Sequence, residues 1–281
     1  GDNTILQPAS SDIEARLLFA TESGAVTLDG LTVQNFYFPL EYNTVYGLIH
    51  SEADLSIYNS TLRDNKASHL IIMPSASSTL IIDKSLIWNN TNNHEAIMTP
   101  LEGYAKVTNS TFGTDTPTNT AYNGIFLRGE ADLWFNTFYE PTNTVRLIKY
   151  EGDFPFRLKG NLILGSCGSN STYTQINSLG YNITIGVCGL LNHPTDIQAY
   201  YDNENLTNIP MTDLGDNGGQ TLTIIPLVNN EVIDAIPVEE CNVTEDQRGV
   251  VRPVNGFCDV GAVELTDILN TPTNLQAIVD Y

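Results

Sequence analysis

Residues 24–33, GAVTLDGLTV, hold the pattern that decides the fold: a strand, a turn of small residues and a second, shorter strand. Apolar and polar side chains alternate from Ala25 to Leu31, which is typical of a β-strand with one buried face. The same unit recurs five times downstream. The closing motifs of the six units are Leu31-Thr32-Val33, Ser60-Thr61-Leu62, Ser85-Leu86-Ile87, Ser110-Thr111-Phe112, Asn136-Thr137-Phe138 and Asn161-Leu162-Ile163.

The spacing of these units predicts a solenoid. Their last residues stand at positions 33, 62, 87, 112, 138 and 163, so successive units are 29, 25, 25, 26 and 25 residues apart. Such a period corresponds to one coil of a parallel β-helix. Because one coil cannot bury its own apolar face, we expect the six closing residues to stack inside as a column along the axis. The predicted fold class is all-β, a right-handed parallel β-helix with a disulfide-containing, loop-rich C-terminal cap.

The chain divides into three predicted regions. Residues 1–164 are predicted to form β-helix coils, and residues 165–265 the final coils and the cap of the same domain. A cap is expected because the end of a solenoid exposes unpaired strand edges and an open core. Residues 266–281 are predicted to be a linker or the start of a truncated fibronectin type III-like module. Residues 1–5 resemble the middle of a coil, so we expect flanking domains of a longer chain.

The composition limits the classes of partner. The chain has 12 Lys and Arg against 33 Asp and Glu, a formal charge of -21, which makes nucleic acid a poor partner and favours divalent cations or basic surfaces. No run of 18 apolar residues occurs, so no membrane-spanning helix is predicted. A basic, apolar leader is also absent from these residues, and the expected export signal would therefore lie outside them.

The four cysteines indicate an oxidising compartment. They stand at positions 167, 188, 241 and 258, and four cysteines permit three pairings. Local pairing of Cys167 with Cys188 and of Cys241 with Cys258 would close short loops in the cap, and we expect this arrangement. A metal site is the alternative, but there is no C-x-x-C pair to support it. The predicted location is extracellular, either secreted or on a cell surface.

The C-terminal region resembles a known family. The residues that carry the resemblance are Asp216-Asn217-Gly218-Gly219-Gln220-Thr221-Leu222-Thr223, Val232-Ile233-Asp234-Ala235, Asp246-Gln247-Arg248-Gly249, Arg252-Pro253 and Cys258-Asp259-Val260-Gly261-Ala262-Val263-Glu264. They are similar to the choice-of-anchor Q group of secreted bacterial proteins and to chlamydial polymorphic outer-membrane-protein repeats. The resemblance implies a right-handed parallel β-helix on an exported, often multidomain protein, and it implies no defined reaction.

Acidic residues recur near one turn of the predicted coils, at Glu22, Glu52, Glu102, Glu130 and Glu151. Stacked coils would place neighbouring carboxylates about 4.8 Å apart. Either these side chains splay into water or a hard cation such as Ca2+ binds between them, with Glu130, Glu151 and Asp153 as the candidate ligands. Solvated carboxylates would explain the recurrent glutamates without any cofactor, so bound Ca2+ is kept as the alternative explanation. Asn59, Asn109, Asn136 and Asn161 also recur near a turn, where stacked amides can bond along the axis.

An enzymatic interpretation depends on one patch of mixed charge. Arg128 and Lys149 fall in successive repeats near Glu130, Glu151 and Asp153. A polysaccharide lyase could use such a base beside Ca2+, and a glycoside hydrolase could use paired carboxylates. The alternative is a set of surface ion pairs that contribute little. The pair Arg248 and Arg252 is assigned instead to satisfying backbone groups of the cap.

Aromatic residues near loops favour binding over catalysis. The candidate ligand-binding residues are Tyr42, Tyr46, Trp88, Tyr139 and Tyr150, because flat rings can stack on sugar faces, although packing in the core is the favoured role for any one of them taken singly. The preferred function is therefore a non-catalytic extracellular module for binding or adhesion, whose partner is a glycan, a cell surface or a protein. The alternative function is a lyase or hydrolase that acts on an acidic polysaccharide.

Overall fold

The computed structural model describes residues 4–9, 17–20, 24–38, 47–75, 77–92, 96–99, 102–115, 124–140, 146–169, 176–186, 188–199, 209–227 and 231–266. Within these residues the chain winds as a parallel β-solenoid with three long sheets, in which each strand pairs with the equivalent strand of the next coil. The predicted fold class is thereby confirmed. The right-handed winding, which the family resemblance implies, stays a prediction.

Sheet A contains the closing motif of each coil. Its nine strands, in spatial order, are Thr4–Leu6, Leu31–Gln34, Thr61–Arg63, Leu86–Trp88, Thr111–Gly113, Thr137–Tyr139, Leu162–Leu164, Ile183–Ile185 and Ile197–Ala199. The predicted core column is confirmed, because Val33, Leu62, Ile87, Phe112, Phe138 and Ile163 are direct partners in register and each is 0% exposed. Phe112 and Phe138 stack with ring centroids 5.0 Å apart.

Sheet B precedes sheet A in each coil. Its seven strands are Ala25–Asp29, Asp54–Tyr58, Thr79–Asp83, Tyr104–Thr108, Glu130–Trp134, Phe156–Lys159 and Ile176–Ser178. Side chains alternate between the two faces, because successive residues of a strand point to opposite sides. Leu80, Val107 and Leu133 point inward and are fully buried, whereas Lys106 and Trp134 are only half-buried on the outer face.

Sheet C closes the cross-section. Its seven strands are Leu18–Ala20, Gly47–Ser51, His69–Ile72, Ile97–Met98, Ile125–Leu127, Arg146–Tyr150 and Ser166–Ser169. An isoleucine column, which ends at Cys167, runs along its inner face into the same core. Three smaller elements complete the structure: the parallel pair Lys66–Ala67 and Thr91–Asn92, the antiparallel pair Ile236–Pro237 and Phe257–Cys258, and a 3-10 helix over Val238–Glu240.

A ladder of polar side chains fixes the corner between sheets B and A. Each rung accepts a hydrogen bond from the backbone N–H at the equivalent position of the coil before it, beginning with the Leu31 N–H, and the rungs are Ser60, Ser85, Ser110, Asn136, Asn161, Asn182 and Asp196. The residue before Leu31 and before each rung from Ser60 to Asn182 turns the chain with a positive φ of 46° to 64°, in the series Gly30, Asn59, Lys84, Asn109, Phe135, Gly160 and Tyr181. Small or amide side chains favour this left-handed conformation.

The four asparagines that the sequence groups together therefore fall into two columns. Asn136 and Asn161 are buried rungs of the ladder, and their amides bond along the axis as expected. Asn59 and Asn109 stand one position earlier, in the left-handed column. The expectation of a single amide stack is corrected, because serine side chains occupy the ladder position in the upstream coils.

Residues 209–227 and 231–266, here called the lateral segment, do not cover the end of the solenoid. They lie along the outer face of sheet A, where Ile224 packs on Leu86 and Trp88, and Val232 and Ile236 join the cluster around Leu162. The predicted loop-rich region with a disulfide is present, but its position differs from the expected terminal cap. The reason is that sheet A has apolar side chains on both faces, and its outer ones need a cover.

Candidate binding pocket at Trp134

The outer face of sheet B presents polar and aromatic side chains along the axis. Tyr58, Tyr104 and Trp134 come from three of its strands, and Lys106 and Arg157 stand among them. These side chains keep partial exposure, in contrast to the outer face of sheet A under the lateral segment. An exposed face that combines aromatic rings with charged groups suits a ligand with both polar and apolar surfaces.

Trp134 lies where the outer face of sheet B meets the lateral segment. Its neighbour Leu133 is fully buried in the solenoid core, which directs the indole outward. The ammonium group of Lys106 lies 5.4 Å from the centroid of the Trp134 ring. The indole Nε1 is buried and has no hydrogen-bond partner. An unsatisfied buried donor is costly, so this N–H indicates a site at which a partner is to be supplied.

A pocket of about 230 Å³ opens beside this indole. Its floor includes Asp83, Thr108 and Asn109 of the neighbouring coils. Asp83 accepts hydrogen bonds from the Thr108 hydroxyl at 2.5 Å and from the Asn109 amide at 3.2 Å, which fixes the orientation of its carboxylate. Asn109 is 5% exposed, and its Oδ1 has no partner. The residues that line the pocket therefore include an aromatic ring, a fixed carboxylate and two side chains that each carry a buried, unpaired polar atom.

The far wall of the pocket is residues 242–245 of the lateral segment. Two contacts hold this wall in place. Lys84 forms an ion pair with Glu245, and Cys241 is bonded to Cys258 immediately before the wall begins. The pocket consequently depends on the lateral segment as much as on sheet B, and its shape is largely preformed.

The other cations around the pocket are paired. Arg157 donates to Glu130 at 2.7 Å and also bonds to Asp132, while Lys159 pairs with Glu240 at 2.5 Å. Tyr104 donates to Asp132 at 2.6 Å, and its pKa is raised by burial and by this hydrogen bond. The Tyr104 hydroxyl therefore stays a donor to Asp132.

The residues of the lyase alternative are only partly brought together. Arg128 and Lys149 lie on the same side of the solenoid, with their charged groups 6.0 Å and 4.2 Å from the centroid of the Phe126 ring. Glu151 lies 3.8 Å from Lys149. Glu130, in contrast, is on the outer face of sheet B with Arg157, and Asp153 is exposed beyond the end of the strand Arg146–Tyr150. A single cluster of all five residues does not form.

The recurrent glutamates do not form a ladder in the described part of the chain. Glu130 pairs in register with Tyr104, and the Glu151 N–H bonds to Leu127, which places Glu151 level with Arg128. Glu22 lies outside the described residues. Among the described residues, no group of three or more His, Cys, Asp or Glu side chains converges as a metal site.

The aromatic predictions need correction. Trp88 is 2% exposed under the lateral segment, and Tyr150 is fully buried, where it stacks on Phe156 at 4.9 Å. Tyr139 is half-buried and stacks against Trp88 at 6.0 Å. Tyr42 and Tyr46 lie outside the described residues. Thus neither Trp88 nor Tyr150 offers a ring face to a ligand.

The cysteine predictions are confirmed. Cys167 pairs with Cys188 in the last coils of the solenoid, with Cα atoms 4.4 Å apart. Cys241 pairs with Cys258 in the lateral segment, with Cα atoms 6.0 Å apart. Both bridges were expected in one cap, but the first belongs to the solenoid core and only the second to the lateral segment.

The arginines of the lateral segment have the structural role that the sequence suggests. The Arg252 side chain is fully buried and donates to the carbonyls of Asp259 and Gly261, both at 2.8 Å. Its guanidinium also lies 4.9 Å from the Phe135 ring centroid, which ties the lateral segment to the solenoid. Burial lowers the pKa of Arg252 and raises the pKa of nearby Glu264.

A second, larger groove of about 470 Å³ lies where the lateral segment stops short of the first strands of sheet A. Ile5, Thr32 and Arg63 line it on the solenoid side, opposite residues 219–222. Arg63 is held by Gln34 and Asp64, and no aromatic residue lines the groove. The Trp134 pocket is therefore the better candidate.

The sequence interpretation overlooked Trp134 and Lys106. The sequence pattern indicated both residues. The alternation in residues 131–135 places Trp134 on the outer face, and the alignment of the coils places Lys106 on the preceding strand of the same sheet. Among the described residues, no helix has the length and apolar character that crossing a membrane requires. Comparison with family models, curated proteins and solved structures finds no match for this chain.

Proposed function

We propose that this chain is a non-catalytic extracellular module that binds a glycan in the Trp134 pocket, with the outer face of sheet B as the surrounding contact surface. Sugars present apolar ring faces edged by hydroxyl groups, and an indole flanked by fixed polar groups complements both. The two disulfides support an oxidising, extracellular location.

The observation that carries this proposal is that two residues lining the pocket each have an unsatisfied polar atom. Trp134 Nε1 is a donor and Asn109 Oδ1 is an acceptor, and both are buried without a partner. A hydroxyl group donates and accepts at once, so one sugar hydroxyl could bond to either atom. A purely apolar ligand would leave both unsatisfied.

A glycan array with neutral and acidic oligosaccharides tests the proposal. The wild-type chain should retain at least one class of glycan, and Trp134→Ala should lose that binding. Tyr37→Ala is the matched control, since Tyr37 also lies under a lysine, Lys66, at 5.4 Å but outside this pocket. Retention of no glycan, or equal binding by Trp134→Ala and wild type, would refute the proposal.

Membership of the choice-of-anchor Q group belongs to the same proposal. Three of the motifs that carry the resemblance meet in the lateral segment, where Arg248 bonds to Asp246 and to the carbonyls of Asn217 and Glu264. An exported, often multidomain protein of that kind would use such a module for adhesion at a surface.

A polysaccharide lyase is the second candidate, favoured by one observation. Arg128 and Lys149 both contact Phe126 on one side of the solenoid, as a base and a charge-stabilising group would. Incubation with uronate polymers, followed by absorbance of the unsaturated product, tests it. The binding proposal expects no product, and product lost in Lys149→Met but not in Lys106→Met would favour the lyase.

A further inference from the structure

We infer that the sugar bound beside Trp134 carries a negative charge, and that Lys106 is its counter-ion. This inference rests on the proposed function and adds the chemical class of the ligand. The chain has 12 Lys and Arg against 33 Asp and Glu, and most cations of the described residues have a carboxylate partner, with Lys66, Lys106 and Arg128 as exceptions. In the described residues Lys106 forms no ion pair, although acidic side chains surround it.

The register explains why Lys106 remains without an ion pair. Its direct partner on the next strand is Asp132. Asp132 is already engaged by Arg157 and by the Tyr104 hydroxyl, which use its two oxygens. The ammonium group of Lys106 is directed instead over the Trp134 ring at 5.4 Å, at the border of the pocket.

The remaining cations near the pocket do not compete for this role. Lys84 pairs with Glu245, and Lys159 pairs with Glu240. At a half-buried site the cation–π contact of Lys106 with Trp134 is weaker than a hydrogen bond between an ammonium group and a carboxylate. A ligand carboxylate can therefore replace that contact. A ligand carboxylate close to the indole would therefore accept hydrogen bonds from the Lys106 ammonium, which has three donors. The sugar ring of the same ligand would contact the indole.

The net charge defines which anionic glycans fit. With a formal charge of -21, the chain repels a long polyanion at distances up to the screening length of about 8 Å. A single ligand charge in the pocket meets Lys106, with Asp83 also on the floor and Glu245 already paired with Lys84, whereas the rest of a polyanion would face the acidic surface. The class inferred is thus a single acidic sugar, such as a uronate, on an otherwise neutral glycan.

Titration with matched methyl glycosides, followed through the two tryptophan indole N–H signals in a ¹⁵N-labelled sample, tests the inference. The probes are the methyl glycosides of glucuronate, galacturonate and mannuronate, each beside its uncharged parent hexose. At least one uronate should shift the Trp134 signal at a lower concentration than its parent, and the buried Trp88 signal is the internal reference. Added salt should weaken the uronate and leave the parent sugar unchanged.

Lys106→Met removes the charge while keeping an apolar stem. We expect it to weaken the preferred uronate about tenfold, which corresponds to about 1.4 kcal/mol, and to weaken the parent sugar by a smaller factor. Lys106→Arg should keep most of the preference, and Lys66→Met is the control for a lysine over an aromatic ring elsewhere. Equal affinity for charged and uncharged sugars would refute the charge inference but leave the glycan site standing. No shift of the Trp134 signal with any probe would refute both.

Discussion

Replacement of Asn161 by alanine should destabilise the fold by about 4 kcal/mol. The Asn161 amide donates to the Leu133 carbonyl at 2.7 Å and to Asn182 Oδ1 at 2.8 Å. Its own Oδ1 accepts from the backbone N–H of Asn136 at 3.1 Å and from the Asn136 amide at 3.0 Å. Each of these four buried bonds contributes about 1 kcal/mol, and alanine leaves their partners without water to replace them.

Equilibrium unfolding in urea, followed by far-ultraviolet circular dichroism with the disulfides intact, measures this loss. Asn177→Ala is the matched control, because Asn177 is exposed on the strand Ile176–Ser178, and it should change stability by less than about 0.5 kcal/mol. Asn161→Ser should fall between the two, since serine provides the acceptor at this position in the upstream coils. A loss for Asn161→Ala no larger than that of the control would refute the role assigned to the ladder.

Three further predictions concern the core, the disulfide and the pH response. Phe112→Ala, which removes the ring stacked on Phe138, should cost about 3 to 5 kcal/mol in the same urea assay, and a loss below that of an exposed substitution would contradict the column. The double substitution Cys241→Ser and Cys258→Ser should cost about 3 kcal/mol and expose the lateral segment to limited proteolysis; an unchanged cleavage pattern would show that the bridge does not hold it. Burial raises the pKa of Glu264 above its ordinary value of 4.5, so the folded state binds this proton more tightly than the unfolded state. The contribution of the Glu264 proton to stability is complete below pH 4.5 and is lost as the pH rises through the pKa of the folded state. Glu264→Gln should therefore flatten the decline in unfolding free energy above pH 4.5. An equal decline in the wild type and the variant would argue against this role of Glu264.

The solenoid could be predicted from the sequence because its determinants are local and repeated. The spacing of Val33, Leu62 and Ile87 reports the length of a coil directly, and any residue at that position must face the axis. The disulfide pairing followed from short separations of 21 and 17 residues. Both inferences depend on neighbours in the sequence or in the next coil.

The candidate site could not be predicted in the same way, because it depends on contacts between distant parts of the chain. Trp88 projects from sheet A as an exposed ligand-binding aromatic would, and only the packing of Ile224 upon it removes it from solvent. The wall of the Trp134 pocket is likewise formed by residues 242–245. No repeat pattern indicates where residues more than a hundred positions away will lie.

Tyr150 shows a different limit. It directly precedes a polar segment, which suggested a loop position with an exposed ring. In the strand Arg146–Tyr150 it shares the inward phase with Ile148, and its ring fills the core against Phe156. The alternation was a better guide than the neighbouring loop.

The lateral segment changes how the coils depend on one another. In most solenoids each coil touches only its neighbours, so the array can fray one unit at a time from an end. Here a single stretch of the lateral segment contacts four successive coils of the solenoid. Gln247 bonds to Thr111, and the Ala262 N–H bonds to the Thr137 hydroxyl. Glu245 pairs with Lys84, and Glu240 pairs with Lys159. Local unfolding of one of these coils therefore disturbs the lateral segment, which also contacts the other three. The middle of the solenoid should consequently unfold cooperatively rather than coil by coil.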